Sequence, residues 1–310
     1  MADVVVSEFM NEAALAPLQD EYGVLFDPEL VDDRTRLLVE VERAVGIIVR
    51  NRTQVDEELL AAAPLLKVVG RLGVGLDNID LEACARHNVA VHPATGANAQ
   101  AVAEYVIGAL LMLFRGAYHS NSRVIGGEWP RADLQGRESA GKRLGLVGFG
   151  TIARMVASRA SALGLKVGAY DPYLPADDQL WGSVDRIADF DSLLEVSDAI
   201  SLHVPLTDDT RHLLDTTALD KLPAGAIIVN TARGGIVDDA ALAAAIRRGH
   251  IAGAALDVFE VEPVTAQTGQ MFAGLDNVVL TPHIAGLTAE SNARVSDMTV
   301  QNVLRTLKEQ

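Results

Sequence analysis

The chain has little cysteine and little basic charge. A single cysteine, Cys84, among 310 residues excludes an internal disulfide and is typical of a reducing compartment, so we expect a cytoplasmic protein. The 26 basic residues are outnumbered by 42 acidic ones, which gives a formal net charge of −16. Such a surface repels phosphate groups, so a nucleic-acid partner is excluded.

Long apolar runs are also absent. The longest, YVIGALLMLF at residues 105–114, is shorter than the roughly 20 residues that a membrane-spanning helix needs. The first residues, MADVVVSEFM, lack the basic start and apolar core of a signal peptide. We therefore expect no membrane partner, and we assign no metal site.

What the chain does have is apolar residues, 49% of the total, in short runs that alternate with helical patterns. This alternation is typical of an α/β fold with parallel sheets, and the length suggests two domains. The predicted strands form an early group at 4–9, 44–50, 66–73 and 89–94, and a later group at 143–150, 165–171, 199–205, 226–232, 252–259 and 277–283. Six strands are enough for a complete dinucleotide-binding sheet.

Between the two groups, NAQAVAEYVIGALLMLFRGAYHSNSRVI predicts a long helix that is apolar on more than one face. It is either a buried helix between domains or a dimer helix, and we expect a homodimer through residues 99–117. The helical tail at 286–310 is expected to return to the first domain. The predicted domains are therefore 1–98 with 286–310, and 99–285.

A glycine pattern opens the later group. In GLVGFGTIA, Gly148, Gly150 and Ala153 have the G-x-G-x-x-G/A spacing after a strand and before a helix. The glycines permit a tight turn and close approach of a pyrophosphate to the helix N-terminus. Asp171 ends the next strand, where a carboxylate can accept from a ribose 2′-hydroxyl and repel a 2′-phosphate. The pattern predicts bound NAD in preference to NADP.

Three further strand ends carry charged or titratable residues. They are Arg233, followed by Gly234 and Gly235; Asp257 with Glu262 shortly after it; and His283. Taken singly, the arginine could pair a structural carboxylate, the glutamate could be solvated and the histidine could cap a helix. Because ligands of open α/β sheets bind at the carboxyl ends of strands, we expect these side chains to converge.

Together these side chains suit hydride transfer from a hydroxy acid. His283 would accept the hydroxyl proton, and Glu262 would fix its tautomer and raise its pKa. Arg233 would bind the carboxylate and carbonyl oxygen of the 2-oxo acid with two hydrogen bonds, a geometry that lysine reproduces poorly.

At this point the chain resembles the D-isomer-specific 2-hydroxyacid dehydrogenases, nearest to the phosphoglycerate-dehydrogenase-like branch. The segments that carry the resemblance are GRLGVGLDNID, GANAQAVAE, GLVGFGTIARMVASRASALGLKV, SLHVPLTDDTRHLL, NTARGGIVDDAAL, AGAALDVFEVEP and LTPHIAG. The resemblance implies an NAD-binding Rossmann domain inserted into a flavodoxin-like substrate domain. Ala153, for the usual third glycine, and Ala101, for a frequent serine, depart from the family pattern without touching the expected catalytic set.

The resemblance also assigns site residues. It implies a catalytic set of Arg233, Glu262 and His283, and contacts of the substrate carboxylate with the backbone amides of Val74 and Gly75. The NAD contacts that we expect are Gly148, Gly150, Thr151, Ile152, Asp171, Val204, Pro205, Thr210, Thr231, Ala232, Arg233, Asp257, His283, Ala285 and Gly286.

Three arginines favour a substrate with a second anion. Arg50, Arg52 and Arg71 follow or end strands of the first domain near the Gly73–Gly75 loop, although each alone could be a solvated surface residue. The candidate substrates are D-3-phosphoglycerate, (S)-3-sulfolactate, glyoxylate or hydroxypyruvate, and D-lactate. A formate- or phosphite-type oxidation and an NAD(H)-sensing corepressor-like binding protein remain alternatives. From the chain's end at residue 310 we expect no appended regulatory domain of the kind that long phosphoglycerate dehydrogenases carry.

Overall fold

A computed structural model describes residues 2–309, which divide into two compact units. The smaller unit combines the residues up to Asn98 with those from Leu287 onward, and the larger unit is the continuous segment Ala99–Gly286. The division falls one residue later than the boundary predicted after residue 285.

The smaller unit contains one parallel sheet. Its strands are β1 Val4–Val6, β2 Val24–Phe26, β3 Gly46–Val49, β4 Val68–Arg71 and β5 Ala90–Pro93. Their order across the sheet is β2-β1-β3-β4-β5, so the prediction of a flavodoxin-like doubly wound sheet is confirmed. The sequence reading missed β2, because this strand is short and its residues are only half-buried.

The helices of this unit pack on both faces of the sheet. They are α1 Ala16–Gln19, α2 Arg34–Glu40, α3 Glu57–Ala62, α4 Leu81–Arg86 and the C-terminal helix Ala289–Glu309, with 3-10 turns at Glu12–Leu15, Pro28–Asp32 and Val41–Arg43. The C-terminal helix packs so tightly on β4 that a Cβ on Gly70 would lie 2.6 Å from a methyl of Val303 and 2.8 Å from that of Thr299. The tail therefore supplies part of the core of the smaller unit.

The larger unit has a seven-stranded parallel sheet. Its strands are β6 Arg143–Val147, β7 Lys166–Tyr170, β8 Asp185–Arg186, β9 Ala199–Leu202, β10 Ala226–Asn230, β11 Ile251–Leu256 and β12 Val278–Leu280. The order β12-β11-β10-β9-β6-β7-β8 is the Rossmann order with one strand added at the edge. The prediction of six strands missed β8, which has two exposed charged residues and therefore no apolar signal.

Helices cover both faces of this sheet too. They are α5 Ala99–Arg115, α6 Asn121–Ile125, α7 Thr151–Ala162, α8 Phe190–Val196, α9 Thr216–Lys221, α10 Asp239–Arg247 and α11 Ala266–Gly269, with 3-10 turns at Gln179–Trp181 and Gln270–Phe272. Alternate residues of β10 point to opposite faces: Ile227 and Val229 pack with α5 and α7, and Ile228 packs with α8, α9 and α10.

The long helix predicted over residues 98–125 is two helices. α5 ends at Arg115, and Gly116 then adopts a left-handed conformation with φ of +62° that no helix continues through. Over residues 2–309 no helix combines the length and the apolar character needed to cross a membrane.

Candidate functional site

The loop after β6 makes the tight turn that the glycine pattern predicts. Gly148 has a φ of +84°, and a Cβ there would lie 2.7 Å from the carbonyl oxygen of His203 and 2.9 Å from a methyl of Val204. Its N–H donates to the carbonyl oxygen of Tyr170 over 2.8 Å. Only glycine fits this position, because both the backbone conformation and the close approach of β9 exclude a side chain.

The start of α7 suits a bound phosphate. Gly150 caps the helix without a side-chain hydrogen bond, and the space where its Cβ would stand contains no atom within 4 Å. The N–H groups of the first turn, from Thr151 and Ile152 onward, have no partner within the helix and form the positive end of its dipole, which favours an anion. Ala153 is fully buried, which allows the helix to pack against the sheet.

A hydroxyl at the end of β10 also fits a dinucleotide. Thr231 Oγ1 is buried and has no hydrogen-bond partner among the residues that the structure describes. A buried polar atom costs free energy unless it is hydrogen-bonded, so a bound ligand at this strand end would satisfy it. Together with the open helix start, this atom shows that the residues present fit NAD.

Asp171 is held in place by backbone amides at the end of β7. One carboxylate oxygen accepts the N–H of Phe149 and the other the N–H of Tyr173, each over 2.9 Å. Phe149 lies between the two glycines of the loop, and its ring stacks on that of Trp181 at 5.0 Å and an angle of 8°. The carboxylate is thereby tied to the phosphate-binding turn and keeps lone pairs for ribose hydroxyls.

The loop that carries Arg233 is shaped by a buried asparagine. The Asn230 side chain accepts the N–H of Ala232 over 3.0 Å and donates to the carbonyl oxygen of Arg233 over 2.9 Å. Arg233 Nη1 in turn donates to the carbonyl oxygen of Ala232 over 2.6 Å. These bonds hold the arginine at the carboxyl end of β10.

A second buried side chain shapes the turn around His283. Asp257, which is 1% exposed, accepts hydrogen bonds from the hydroxyl of Thr281 and from the N–H groups of Ile284 and Ala285 over 2.6 to 2.8 Å. The Thr281 hydroxyl is also hydrogen-bonded to the phenol of Tyr105 at 2.6 Å. Within the protein the Asp257 carboxylate therefore holds the turn that presents the histidine.

Glu262 and His283 form a hydrogen-bonded pair. Nδ1 of the imidazole lies 2.8 Å from Oε2 of the glutamate, and Oε1 accepts the N–H of Phe259 over 2.9 Å. Burial by itself raises the pKa of Glu262. The hydrogen bonds from His283 and Phe259, and the positive charges of His283 and Arg233, outweigh burial and hold the pKa below its usual value. The pair and the arginine thus lie in one electrostatic environment.

Three other expected NAD contacts belong to the segment after β9. Val204 packs against Gly148, where it leaves no room for a side chain. Thr210 donates its hydroxyl to the carbonyl oxygen of Pro205 over 2.6 Å and accepts the N–H of Thr207 over 2.7 Å. The threonine therefore fixes the shape of this loop.

In the smaller unit, loops at the carboxyl ends of β1 and β3 are joined by an acidic residue. Glu8 is buried, and its carboxylate accepts N–H groups of the turn at 50–53, the shortest being those of Arg50 over 2.8 Å and Thr53 over 3.0 Å. The sheet order reverses between these two strands, which is where ligands of such sheets bind.

The three arginines that we expect to bind an anion differ in their surroundings. Arg50 Nη1 donates to the carbonyl oxygen of Phe9 over 3.0 Å and to Asn292 Oδ1 over 3.1 Å, and burial lowers its pKa. Arg52 is 58% exposed and forms an ion pair with Asp32. Arg71 Nη1 donates to the carbonyl oxygen of Leu72 over 2.9 Å.

The Gly73–Gly75 loop follows directly. A Cβ on Gly73 would lie 1.6 Å from Nη1 of Arg71, so this guanidinium lies over the loop that carries Val74 and Gly75. Val74 is exposed.

Sequence reasoning missed the residues that shape the site. Asn230, Thr281 and Glu8 lie at or just after strand ends, whereas Tyr105 lies in α5. Three of the four are uncharged and belong to no recognisable motif. Glu8 could have been found by a search for acidic residues at strand ends.

The nucleotide loop and the doubly wound sheet place the chain in the class of NAD-dependent dehydrogenases. Residues 107–285 match the model of the D-isomer specific 2-hydroxyacid dehydrogenase, NAD binding domain. The chain belongs to the D-isomer-specific 2-hydroxyacid dehydrogenase family.

Individual relatives narrow the comparison. The chain is 56% identical to the (S)-sulfolactate dehydrogenase of Chromohalobacter salexigens, with 99% of both chains covered. It is 41% identical to the hydroxypyruvate reductase of Thermotoga maritima, over 89% of this chain and 88% of that one. Its identity to the D-3-phosphoglycerate dehydrogenase of Mycobacterium leprae is also 41%, over 97% of this chain but 56% of that protein.

Solved structures agree. The D-lactate dehydrogenase of Aquifex aeolicus, solved in complex with NAD and lactic acid, superimposes with a TM-score of 0.82 at 30% identity, covering 99% of this chain and 95% of that one. The predictions of the family, of two parallel-sheet domains, of NAD as cofactor and of an oxidoreductase acting on a 2-hydroxy acid are confirmed.

Proposed function

We propose that this dehydrogenase interconverts (S)-3-sulfolactate and 3-sulfopyruvate. The observation that carries the proposal is the 56% identity to an (S)-sulfolactate dehydrogenase over 99% of both chains, well above the identity to the hydroxypyruvate reductase or to the phosphoglycerate dehydrogenase.

The stereochemistry is consistent with a D-specific site. In sulfolactate the sulfur-bearing arm takes priority over the carboxylate, so the S isomer has the spatial arrangement of D-lactate. Oxidation moves a hydride from C2 to the cofactor and a proton from the hydroxyl to the enzyme, leaving the 2-oxo acid, NADH and a proton.

Three residues of the larger unit would carry the reaction. His283 takes the hydroxyl proton on Nε2, because Nδ1 is engaged by Glu262. Glu262 fixes the tautomer and stabilises the imidazolium that forms. Arg233 binds the carboxylate and the developing carbonyl oxygen through the two arms of its guanidinium.

NAD supplies the hydride acceptor. The α7 N-terminus after Gly150 would bind the pyrophosphate and Asp171 the adenosine ribose. Further contacts to NAD would come from the Thr231 hydroxyl and from the loops at Val204–Pro205, at Thr210 and at 283–286. These assignments are the ones expected from the sequence.

In the smaller unit we propose that Arg50, Arg52 and Arg71 bind the sulfonate and that the amides of Val74 and Gly75 bind the carboxylate. The partial burial of Arg50 and the position of Arg71 over a glycine loop support this proposal, because such surroundings strengthen charge-assisted hydrogen bonds. Arg52 would have to exchange Asp32 for the substrate.

A substrate panel tests the proposal. Purified protein with NAD is assayed at the NADH absorbance with (S)- and (R)-3-sulfolactate, D-3-phosphoglycerate, D-glycerate and D-lactate. We expect (S)-3-sulfolactate to give the highest kcat/KM, by roughly a hundredfold over D-lactate, since two charge-assisted contacts are gained. A higher kcat/KM for D-3-phosphoglycerate or D-glycerate would show that this acid, and not sulfolactate, is the substrate. NADH binding without turnover of any of the acids would indicate a sensing protein.

We further propose a cytoplasmic homodimer formed through α5. Apolar residues on more than one face of this helix support a self-association surface. Sedimentation at micromolar concentration tests it, and a monomer would refute it.

A further inference from the structure

The two loops that carry Arg233 and Glu262 touch through their backbones. A Cβ on Gly234 would lie 1.7 Å from the carbonyl oxygen of Phe259 and 2.8 Å from the nitrogen of Glu260. No side chain at position 234 could be accommodated without separating the loops. The two loops are therefore in main-chain contact, and a group that keeps this contact closed maintains the spacing of their functional side chains.

A third segment, at residues 212–214, runs beside the Arg233 loop. The His212 N–H donates to the carbonyl oxygen of Gly235 over 2.7 Å, and the Leu214 N–H donates to that of Ile236 over 3.1 Å. His212 has a φ of +50°, which lies in the left-handed region. Its imidazole Nε2 is hydrogen-bonded to the carboxylate of Glu260.

Glu260 is held from its other side as well. Its N–H points to Oδ2 of Asp239 over 3.4 Å, and Asp239 is a buried carboxyl at the first turn of α10. Burial raises the pKa of Asp239 to about 6. Glu260 is thus held by its backbone to Asp239 of α10 and by its side chain to His212, and His212 is itself hydrogen-bonded to the Arg233 loop at Gly235.

We propose that the His212–Glu260 pair clamps the Arg233 loop against the Glu262 loop, and that both residues are positioning residues for the reaction. Through its backbone His212 holds Gly235, two residues from Arg233; through its side chain it holds Glu260, two residues from Glu262. The pair therefore fixes the distance between the substrate-binding arginine and the glutamate that orients His283. This inference rests on the roles proposed above for Arg233 and Glu262.

Because the pair is partly exposed, a positioning role can be distinguished experimentally from a role in stability. His212 and Glu260 side chains are 41% and 37% exposed. Ion pairs at such positions contribute little to the free energy of unfolding. Losing the pair should hardly change the melting temperature, whereas an altered loop spacing changes substrate binding directly.

The test compares Glu260→Ala, Glu260→Gln, His212→Asn and the double variant Glu260→Ala/His212→Asn. Asparagine tolerates a positive φ, but its amide is too short to replace the imidazole. Asp220→Ala, which removes the exposed pair with Arg248 in the same unit, is the matched control. We measure melting temperature, NADH Kd, KM and kcat, and the Ki of oxamate, an unreactive 2-oxo acid analogue that reports on Arg233.

We expect Glu260→Ala and His212→Asn each to raise KM and the oxamate Ki roughly tenfold, with NADH Kd and melting temperature unchanged. The double variant should have a KM and an oxamate Ki no higher than those of either single variant, because both substitutions remove the same interaction. Glu260→Gln should keep KM and the oxamate Ki close to the parent values, because its amide oxygen still accepts a hydrogen bond from the imidazole.

Two results would overturn the clamp: unchanged KM and Ki in both single variants, or a fall in melting temperature with kinetics equal to those of Asp220→Ala. Arg233→Lys, assayed alongside, separates the two levels of inference. If Arg233→Lys binds oxamate normally, the proposed function of the arginine fails; if it loses oxamate while Glu260→Ala does not, only the clamp fails.

Discussion

Nδ1 of His283 lies 2.8 Å from Oε2 of Glu262, while the other oxygen of the same carboxylate accepts the N–H of Phe259. The glutamate is thereby anchored to its own loop, and the imidazole is oriented by an anchored partner. A histidine held through Nδ1 presents Nε2 outward, which is the arrangement that proton exchange with a substrate requires.

His283→Ala should lower kcat by about 10²- to 10⁴-fold, because the proton acceptor is removed. NADH Kd, measured by fluorescence titration, should stay within a factor of about three. His119→Ala removes an exposed histidine of the same unit and serves as the control. A kcat for His283→Ala within tenfold of the parent value would show that another group accepts the proton.

Glu262→Gln should act differently from loss of the histidine. The imidazolium loses its carboxylate partner, so the acidic limb of the pH–rate profile for hydroxy-acid oxidation should move to lower pH, with roughly tenfold or greater loss of kcat at neutral pH. Glu195→Gln, an exposed position, is the matched control. An unmoved acidic limb would mean that Glu262 does not tune the base.

Asp171→Asn should weaken the preference for NAD. The carboxylate faces a 2′-phosphate at like-charge distance in NADP, which costs several kcal/mol, whereas the amide does not repel it. We expect the ratio of kcat/KM for NAD over NADP to fall at least tenfold. The same change at the exposed Asp177 should leave the ratio untouched. Equal use of both cofactors by the unmodified enzyme would contradict the assignment.

Asp239→Asn should alter how stability depends on pH. The pKa of Asp239 is raised from 3.8 in the unfolded chain to about 6 by burial, so the folded state binds the proton more tightly. Its stabilising contribution is therefore complete below pH 4 and is lost as pH rises through 6. Relative to the parent, the free energy of unfolding of the variant should rise between pH 4 and pH 7, by on the order of 3 kcal/mol.

Urea unfolding at several pH values measures this difference. Asp209→Asn, at an exposed position, should track the parent throughout. A constant offset between Asp239→Asn and the parent would show that the carboxyl titrates alike in the folded and unfolded chain.

Arg50→Ala and Arg52→Ala should each raise KM for a dianionic substrate roughly tenfold and leave KM for D-lactate nearly unchanged, because lactate lacks the second anion. Arg43→Ala is an exposed control in the same unit. Equal losses for lactate and sulfolactate would mean that the arginines are structural. For Arg52 that result would point to its ion pair with Asp32.

Much of the fold was predictable, because buried parallel strands read as continuous apolar runs and a glycine turn precedes α7. β2 and β8 were not, since a half-buried three-residue strand and an exposed Asp185–Arg186 pair carry no such pattern. The break after Arg115 was also missed, although Gly116, which has a φ of +62°, is the residue type that commonly ends a helix.

The charged residues that we propose for the site are predicted by their positions at strand ends. The residues that hold these side chains in place were not predicted. Tyr105 acts through a hydrogen bond to Thr281, which is distant in sequence, and Asn230 acts through hydrogen bonds to the backbone of its own turn, which no motif marks. The ion pair of Arg52 with Asp32 was equally invisible, since it joins residues of two separate loops.

The C-terminal helix packs on Gly70 of β4, and the whole larger unit lies between these two parts of the chain. During synthesis on the ribosome, the continuous segment 99–286 can fold as soon as it has emerged. The smaller unit, although its first segment is made earlier, keeps part of one face of its sheet uncovered until the helix Ala289–Glu309 has emerged.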